Sequence, residues 1–161
     1  MGKNSNAIAL FLACLTGNIK LGIMGLLVVH DDAATDLRRL MAADRLSAGK
    51  VLALLEQIKQ DPKMIDRLTE HNFGDDHSGK FHVSKWIEQW KAGYNLWRLK
   101  IWEEPTGSLK YRIVYAFDTT TRNYYILAVV HRNFNYENDH ATTQRVLDTY
   151  KSLGIKVYDC H

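Results

Sequence analysis

Asn95-Leu96-Trp97-Arg98-Leu99-Lys100-Ile101-Trp102, Tyr111-Arg112-Ile113-Val114-Tyr115-Ala116-Phe117 and Tyr124-Tyr125-Ile126-Leu127-Ala128-Val129-Val130-His131-Arg132 follow one another with only short breaks. The first alternates, with Trp97, Leu99 and Ile101 on one face and Arg98 and Lys100 on the other, as successive side chains of a strand do. In the second, Ile113, Tyr115 and Phe117 share a face that Arg112 does not. The third is apolar almost throughout, which predicts a central strand covered on both sides. It ends in His131-Arg132-Asn133-Phe134-Asn135-Tyr136, so a greasy strand delivers polar and aromatic groups to its exposed end.

Working outward, Gly25-Leu26-Leu27-Val28-Val29-His30 reads as an earlier strand. Asp31 or Asp32 is the expected cap of a helix over 33–45, in which Leu37, Leu40 and Met41 share a face. Ser47 is the expected cap of a second helix over 47–60, with Val51, Leu54, Leu55 and Ile58 at helical spacing until Asp61-Pro62 stops it. The two form an antiparallel hairpin. Trp86, Ile87 and Trp90 recur at helical spacing further on. A closing helix over 141–153 ends at Gly154, a natural residue to follow a helix C-terminus. The order predicts an α+β domain: a small, mainly antiparallel sheet with an N-terminal helical hairpin and a C-terminal helix.

The chain has 161 residues, 46% of them apolar, which fits one domain with a real core and argues against disorder. Of its 21 lysines and arginines only Lys3 and Lys20 precede Met24, leaving 19 cations against 18 acids in residues 24–161. Net charge therefore does not announce a polyanion partner; clustering has to hold one. Residues 1–23 read as an N-terminal extension to a domain over 24–161, and Met24 is an alternative start. The apolar run Ala7–Leu15 is too short to cross a membrane, which takes about 20 residues. With Lys3 before it and Ala13-Cys14 after, a secretory leader is the competing reading. Cys14 and Cys160 have no framework spacing, which suits the reducing cytoplasm. His71, His77 and His82, with Asp75 and Asp76, match no closed metal-ligand pattern and read as solvated loop side chains.

Arg98 and Lys100 share one strand face, Arg112 lies on the next strand and Arg132 ends the third. Because neighbouring strands are only ~4.8 Å apart, these cations can converge on a polyanion backbone and stabilise charge building on a scissile phosphate. The competing reading pairs them with Glu103, Glu104 and Asp118 as ordinary solvated positions.

Leu96-Trp97-Arg98-Leu99-Lys100-Ile101, Lys110-Tyr111-Arg112-Ile113-Val114-Tyr115-Ala116-Phe117 and Ala128-Val129-Val130-His131-Arg132-Asn133-Phe134-Asn135-Tyr136 together resemble the RelE/ParE superfamily of bacterial toxins. The telling pair is the Tyr-Arg strand followed by a strand ending in His-Arg. The likeness spans roughly residues 26–153; residues 1–23 and 71–93 lie outside the family core. It implies the toxin of a type II toxin–antitoxin system, a metal-independent endoribonuclease without cofactor. Such a toxin cleaves mRNA in the ribosomal A site through the RNA's own 2′-hydroxyl, and a cognate antitoxin protein neutralises it; no membrane is involved. By the same resemblance Arg98 and Lys100 take the two basic positions of the family's second strand, and Arg112 holds the transition-state phosphate. Arg132 stabilises the phosphate or protonates the leaving group. Tyr136 takes the place of the tyrosine that stacks on the base and helps activate the 2′-hydroxyl, although it follows Arg132 more closely than in the founding members. His131 or His140 is the expected acid–base group, since imidazole titrates near neutrality. The alternative within the superfamily is a ParE-like protein that binds and poisons DNA gyrase without cutting nucleic acid. A third reading is an idle domain that only binds an antitoxin or RNA.

Overall fold

A computed structural model describes residues 25–103, 107–137 and 140–159. The expected extension over 1–23, both cysteines, Glu104 and Asp139 lie outside the described residues. Strand β1 (Leu27–Val29) leads into α1 (Asp31–Ala43), α2 (Arg45–Gln60) and the short α3 (Pro62–Arg67). β2 (Phe81–Lys85) and α4 (Ile87–Lys91) precede the three long strands β3 (Leu96–Glu103), β4 (Gly107–Asp118) and β5 (Asn123–His131), and α5 (Ala141–Ser152) follows them. The strands form one sheet in the order β1-β5-β4-β3-β2, antiparallel except for the β1–β5 pair. The α+β architecture with a helical hairpin before the sheet and a helix after it is the one the patterning predicts. No helix among the described residues is long and apolar enough to cross a membrane.

Alternation along the strands sorts the interior into two layers. On one face Leu37, Leu40, Val51, Leu55 and Ile58 of the hairpin bury Leu99, Ile113, Tyr115 and Ile126. On the other, Val146, Leu147 and Tyr150 of α5 close over Leu96, Val114, Ala116, Leu127, Ala128 and Val130. β5 serves both layers because it carries one extra residue. Val114 pairs with Ala128 but Tyr115 with Ile126, so Leu127 has no partner, and both Leu127 and Ala128 face α5. That bulge explains why the strand reads as a continuous apolar run.

Both expected caps fall a few residues earlier in the chain than predicted. α1 starts at Asp31, so His30 caps it, its Nδ1 accepting from the Asp32 N–H at 3.2 Å, and both aspartates occupy the first turn, where the helix dipole favours anions. Asp44 both ends α1 and caps α2. One carboxylate oxygen accepts from the Ser47 N–H at 3.1 Å and the other from the Ser47 hydroxyl at 2.7 Å, so Ser47 serves the cap rather than being it.

β1 stops short, leaving the edge of β5 open beyond it. There Asp36 of α1 takes the place of a strand: its Oδ2 accepts from the Val129 N–H at 3.1 Å. Arg145 of α5 grips the same carboxylate with both terminal nitrogens, at 3.0 and 2.7 Å. One side chain thus ties α1, β5 and α5 together, and the pair raises the affinity of Arg145 for its proton.

Candidate functional site

α5 covers only one end of its face of the sheet. Past Leu96, Val114 and Val130 the same face carries Arg98 and Lys100 on β3, Arg112 on β4 and His82 and Ser84 on β2. These side chains, with Arg132 and Tyr136 beyond the end of β5, line a cavity of about 400 Å³ whose walls hold no carboxylate. His82, Lys100 and Arg112 form one row across three strands, each paired to the next in the ladder. Like charges directly opposite one another destabilise a sheet, so Lys100 facing Arg112 is an unfavourable pair, eased by the Trp102 ring 4.8 Å from the Lys100 ammonium.

Two of the acids expected to neutralise this set are engaged elsewhere, while Glu88 and Glu137 line an adjoining cavity with Arg98 and Tyr136. Glu103 binds Lys50 of α2, and Asp118 closes its own turn, accepting from the Thr120 N–H at 2.9 Å and the Thr121 hydroxyl at 2.7 Å. Among the described residues no ion pair joins Arg98, Lys100, Arg112 or Arg132 to a carboxylate.

The cations are held by neutral groups. A second irregularity, between Lys100 and Trp102, lets β4 bow out. Arg112 donates into that bow, to the carbonyls of Leu109 at 2.6 Å and Tyr111 at 3.1 Å and to the Ser108 hydroxyl at 3.3 Å. The Arg98 guanidinium lies 5.1 Å from the Tyr136 ring and its Nε is buried without a partner. Tyr136 stands edge-on to Trp86 and Phe134, with ring centres 5.1 and 4.7 Å away. Phe134 in turn packs on His140 at 4.6 Å, so an aromatic chain holds the segment after β5 in place.

The crowding shows in proton affinities. Burial, then Arg112 and Arg98, lower the Lys100 pKa; burial, then Arg132 and Arg98, lower that of Arg112, partly offset by Tyr136. Burial raises the Tyr136 phenol, with Arg98 and Arg112 pulling the other way. His82 falls below the usual imidazole range, first through burial and then through Lys100, with Asp75 opposing.

The structure brings Arg98, Lys100, Arg112 and Arg132 together, as strand spacing allows, with Tyr136, singled out by the resemblance alone, beside them, but not the expected histidines. His131 pairs with Tyr111 in the ladder, one residue out of step with Arg112 and Val130, and so projects from the opposite face against the Tyr111 ring. His140 caps α5, its Nδ1 accepting from the Thr142 N–H at 3.2 Å. The imidazoles at the cavity are His82, which is not the solvated loop residue expected, and His71, which is an exposed turn residue as expected. His82 is on β2, with its Nε2 buried and unpartnered, and His71 accepts from the Lys85 N–H at 3.1 Å. The alternation Phe81-His82-Val83 was the available signal, since it puts His82 opposite two core residues. No cluster of metal-ligating side chains occurs among the described residues.

No family model matches the chain, and neither does any curated protein or solved structure.

Proposed function

We propose that this protein is a nuclease of single-stranded RNA, and more particularly the toxin of a type II toxin–antitoxin pair that cuts mRNA on the ribosome in the cytoplasm. The observation that supports it is the cavity in which Arg98, Lys100, Arg112 and Arg132 converge with no carboxylate among its lining residues. Such a row suits a phosphodiester that gains negative charge as it reacts, because fixed donors stabilise the transition state more than the ground state. In that reaction the 2′-hydroxyl oxygen attacks the adjacent phosphorus and gives up its proton. The bond to the 5′-oxygen breaks, that oxygen takes a proton, and a 2′,3′-cyclic phosphate remains. Arg98 and Tyr136 border one side of the cavity and orient the nucleotide. Of the four histidines considered, His82 lies in the row, and its lowered proton affinity keeps it neutral near pH 7, as a proton acceptor must be. It takes the acid–base role expected of His131 or His140. An antitoxin with an acidic segment is the complementary partner for an open cationic face.

Single-turnover cleavage of mRNA on programmed ribosomes tests the reading. Arg112→Ala and Arg132→Ala should each slow cleavage by about 10²–10³, the usual worth of one electrostatic donor, without lowering Tm. Both variants folded and cutting at the wild-type rate would remove the assignment. A wild-type protein that inhibits gyrase and leaves RNA intact would instead be the ParE-like alternative.

A further inference from the structure

At the other end of β3, away from the cationic cavity, Trp90, Gly93, Tyr94, Asn95, Thr119 and Tyr158 enclose a second cavity of about 370 Å³, at the small end of the range for ligand pockets. Its walls are aromatic and come from distant parts of the chain. Trp90 belongs to α4 and is steadied by a hydrogen bond from its Nε1 to the Leu96 carbonyl at 2.7 Å. Tyr158 comes from the segment after α5. That segment is held by the Tyr150 hydroxyl, which donates to the Lys156 carbonyl at 2.6 Å, and by a bond from the Tyr158 N–H to the Gly93 carbonyl at 2.8 Å. Gly93 has φ +91°, and a Cβ there would come within 2.0 Å of the Tyr158 carbonyl oxygen, so only glycine lets the two walls meet.

The floor carries a polar signal. Asn95 is 7% exposed and its main chain is fixed on both sides, its N–H donating to the Tyr150 hydroxyl at 3.1 Å and its carbonyl accepting from the Phe117 N–H at 3.1 Å. Its side-chain oxygen accepts from the Trp97 indole N–H at 2.7 Å. Because an indole N–H only donates, that contact determines which way the carboxamide points. Among the described residues the NH2 group has no hydrogen-bond acceptor, in a cavity that Asn95 itself lines. That amide opens onto the cavity rather than being sealed in the core, so it is free to donate to the edge of a ligand. The rim adds the hydroxyls of Thr119 and Tyr158, bonded to each other at 2.5 Å, and two ammonium groups, Lys151 at 5.9 Å from the Tyr94 ring and Lys156 at 5.1 Å from the Tyr158 ring.

We propose that this cavity is a nucleobase site: a planar heteroaromatic ring stacks between the aromatic walls and accepts a hydrogen bond from the Asn95 amide at its edge. The flanking lysines meet the phosphate of whatever carries the base, whether a free nucleotide or a nucleotide of a bound RNA strand. The site is separate from the ribonuclease reading, since an uncharged nucleoside needs none of the cations in the first cavity.

Titration of the full chain with adenosine, guanosine, uridine and cytidine, followed by tryptophan fluorescence and calorimetry, tests it. At least one nucleoside should bind saturably in the millimolar range or tighter. Tyr158→Ala, at an exposed position, should weaken that binding about 10-fold, as loss of one stacking ring does, while Tyr158→Phe should retain it. Arg112→Ala should leave nucleoside binding unchanged even if RNA cleavage is lost, or was never present. A short oligoribonucleotide then separates the sources. If Tyr158→Ala weakens it as well, the base belongs to a strand; if only the nucleoside is affected, the ligand is a free nucleotide. Absence of saturable binding by all four nucleosides, wild-type affinity in Tyr158→Ala, or equal loss in Tyr158→Phe would each overturn the proposal.

Discussion

One face of the sheet ends in two opposite ways. Under α5, Leu96, Val114, Ala116 and Val130 meet Val146, Leu147 and Tyr150 and are buried. A few residues further along β3 and β4 the positions belong to Arg98, Lys100 and Arg112, with Arg132 just past the end of β5, and these line an open cavity instead of packing under α5. The strands pair at both ends, with a bulge between Val114 and Tyr115 and a second irregularity between Lys100 and Trp102, so the presence of a ladder does not distinguish them. What differs is the partner. The covered end gains from removing apolar surface from water, whereas the open end keeps Lys100 and Arg112 side by side with no ion pair to a carboxylate among the described residues and is less stable for it. Sites for ligands commonly have that character: order is imposed by the surrounding fold, and the local interactions are completed only when the ligand arrives.

The contrast can be broken most forcefully at the covered end. Tyr150 is fully buried and its hydroxyl joins Asn95 to Lys156, so Tyr150→Ala should cost about 3–5 kcal/mol in denaturant unfolding, the range for deleting a large core ring. A loss below about 1 kcal/mol would mean that α5 is not what seals this half of the sheet. A smaller effect is expected at the junction of the layers. Asp36→Ala leaves Arg145 and the Val129 N–H without their shared acceptor. Side-chain exposure is 12% for Asp36 and 29% for Arg145, so the loss should be about 2–3 kcal/mol, less than for a fully buried pair. An unchanged Tm would show the clamp to be dispensable.

The smallest effect sharpens the comparison from the open end. His82 holds its proton less firmly in the folded protein than an ordinary imidazole does. The unfolded chain therefore binds more protons, and its contribution to stability is fully present above about pH 6.5 and declines as pH falls through the folded-state pKa. Denaturant midpoints measured from pH 7 to pH 5 should fall more steeply for the wild type than for His82→Asn. Parallel curves would place His82 in water rather than among the cations.

Much of this was legible in the residues alone. Strict alternation in 95–102 and 111–117 and the apolar run at 124–130 determined three neighbouring strands, because a period of two admits little else when one face must be dry. Helical spacing in Val51, Leu54, Leu55 and Ile58 did the same for the hairpin. The convergence of Arg98, Lys100 and Arg112 followed from the short distance between paired strands. Only the tertiary structure decided which face His131 took and that His82 joins the cationic row. A single extra residue, Leu127, shifts the pleat of β5, and the pairing of β2 onto β3 brings in a side chain from outside the three strands. The same holds for Asn95 and Tyr158, which meet because Gly93 lets the final segment approach. Local pattern specifies which way neighbours alternate. Registers, bulges and the return of distant segments depend on contacts between residues far apart in the chain, and no period in the sequence records those.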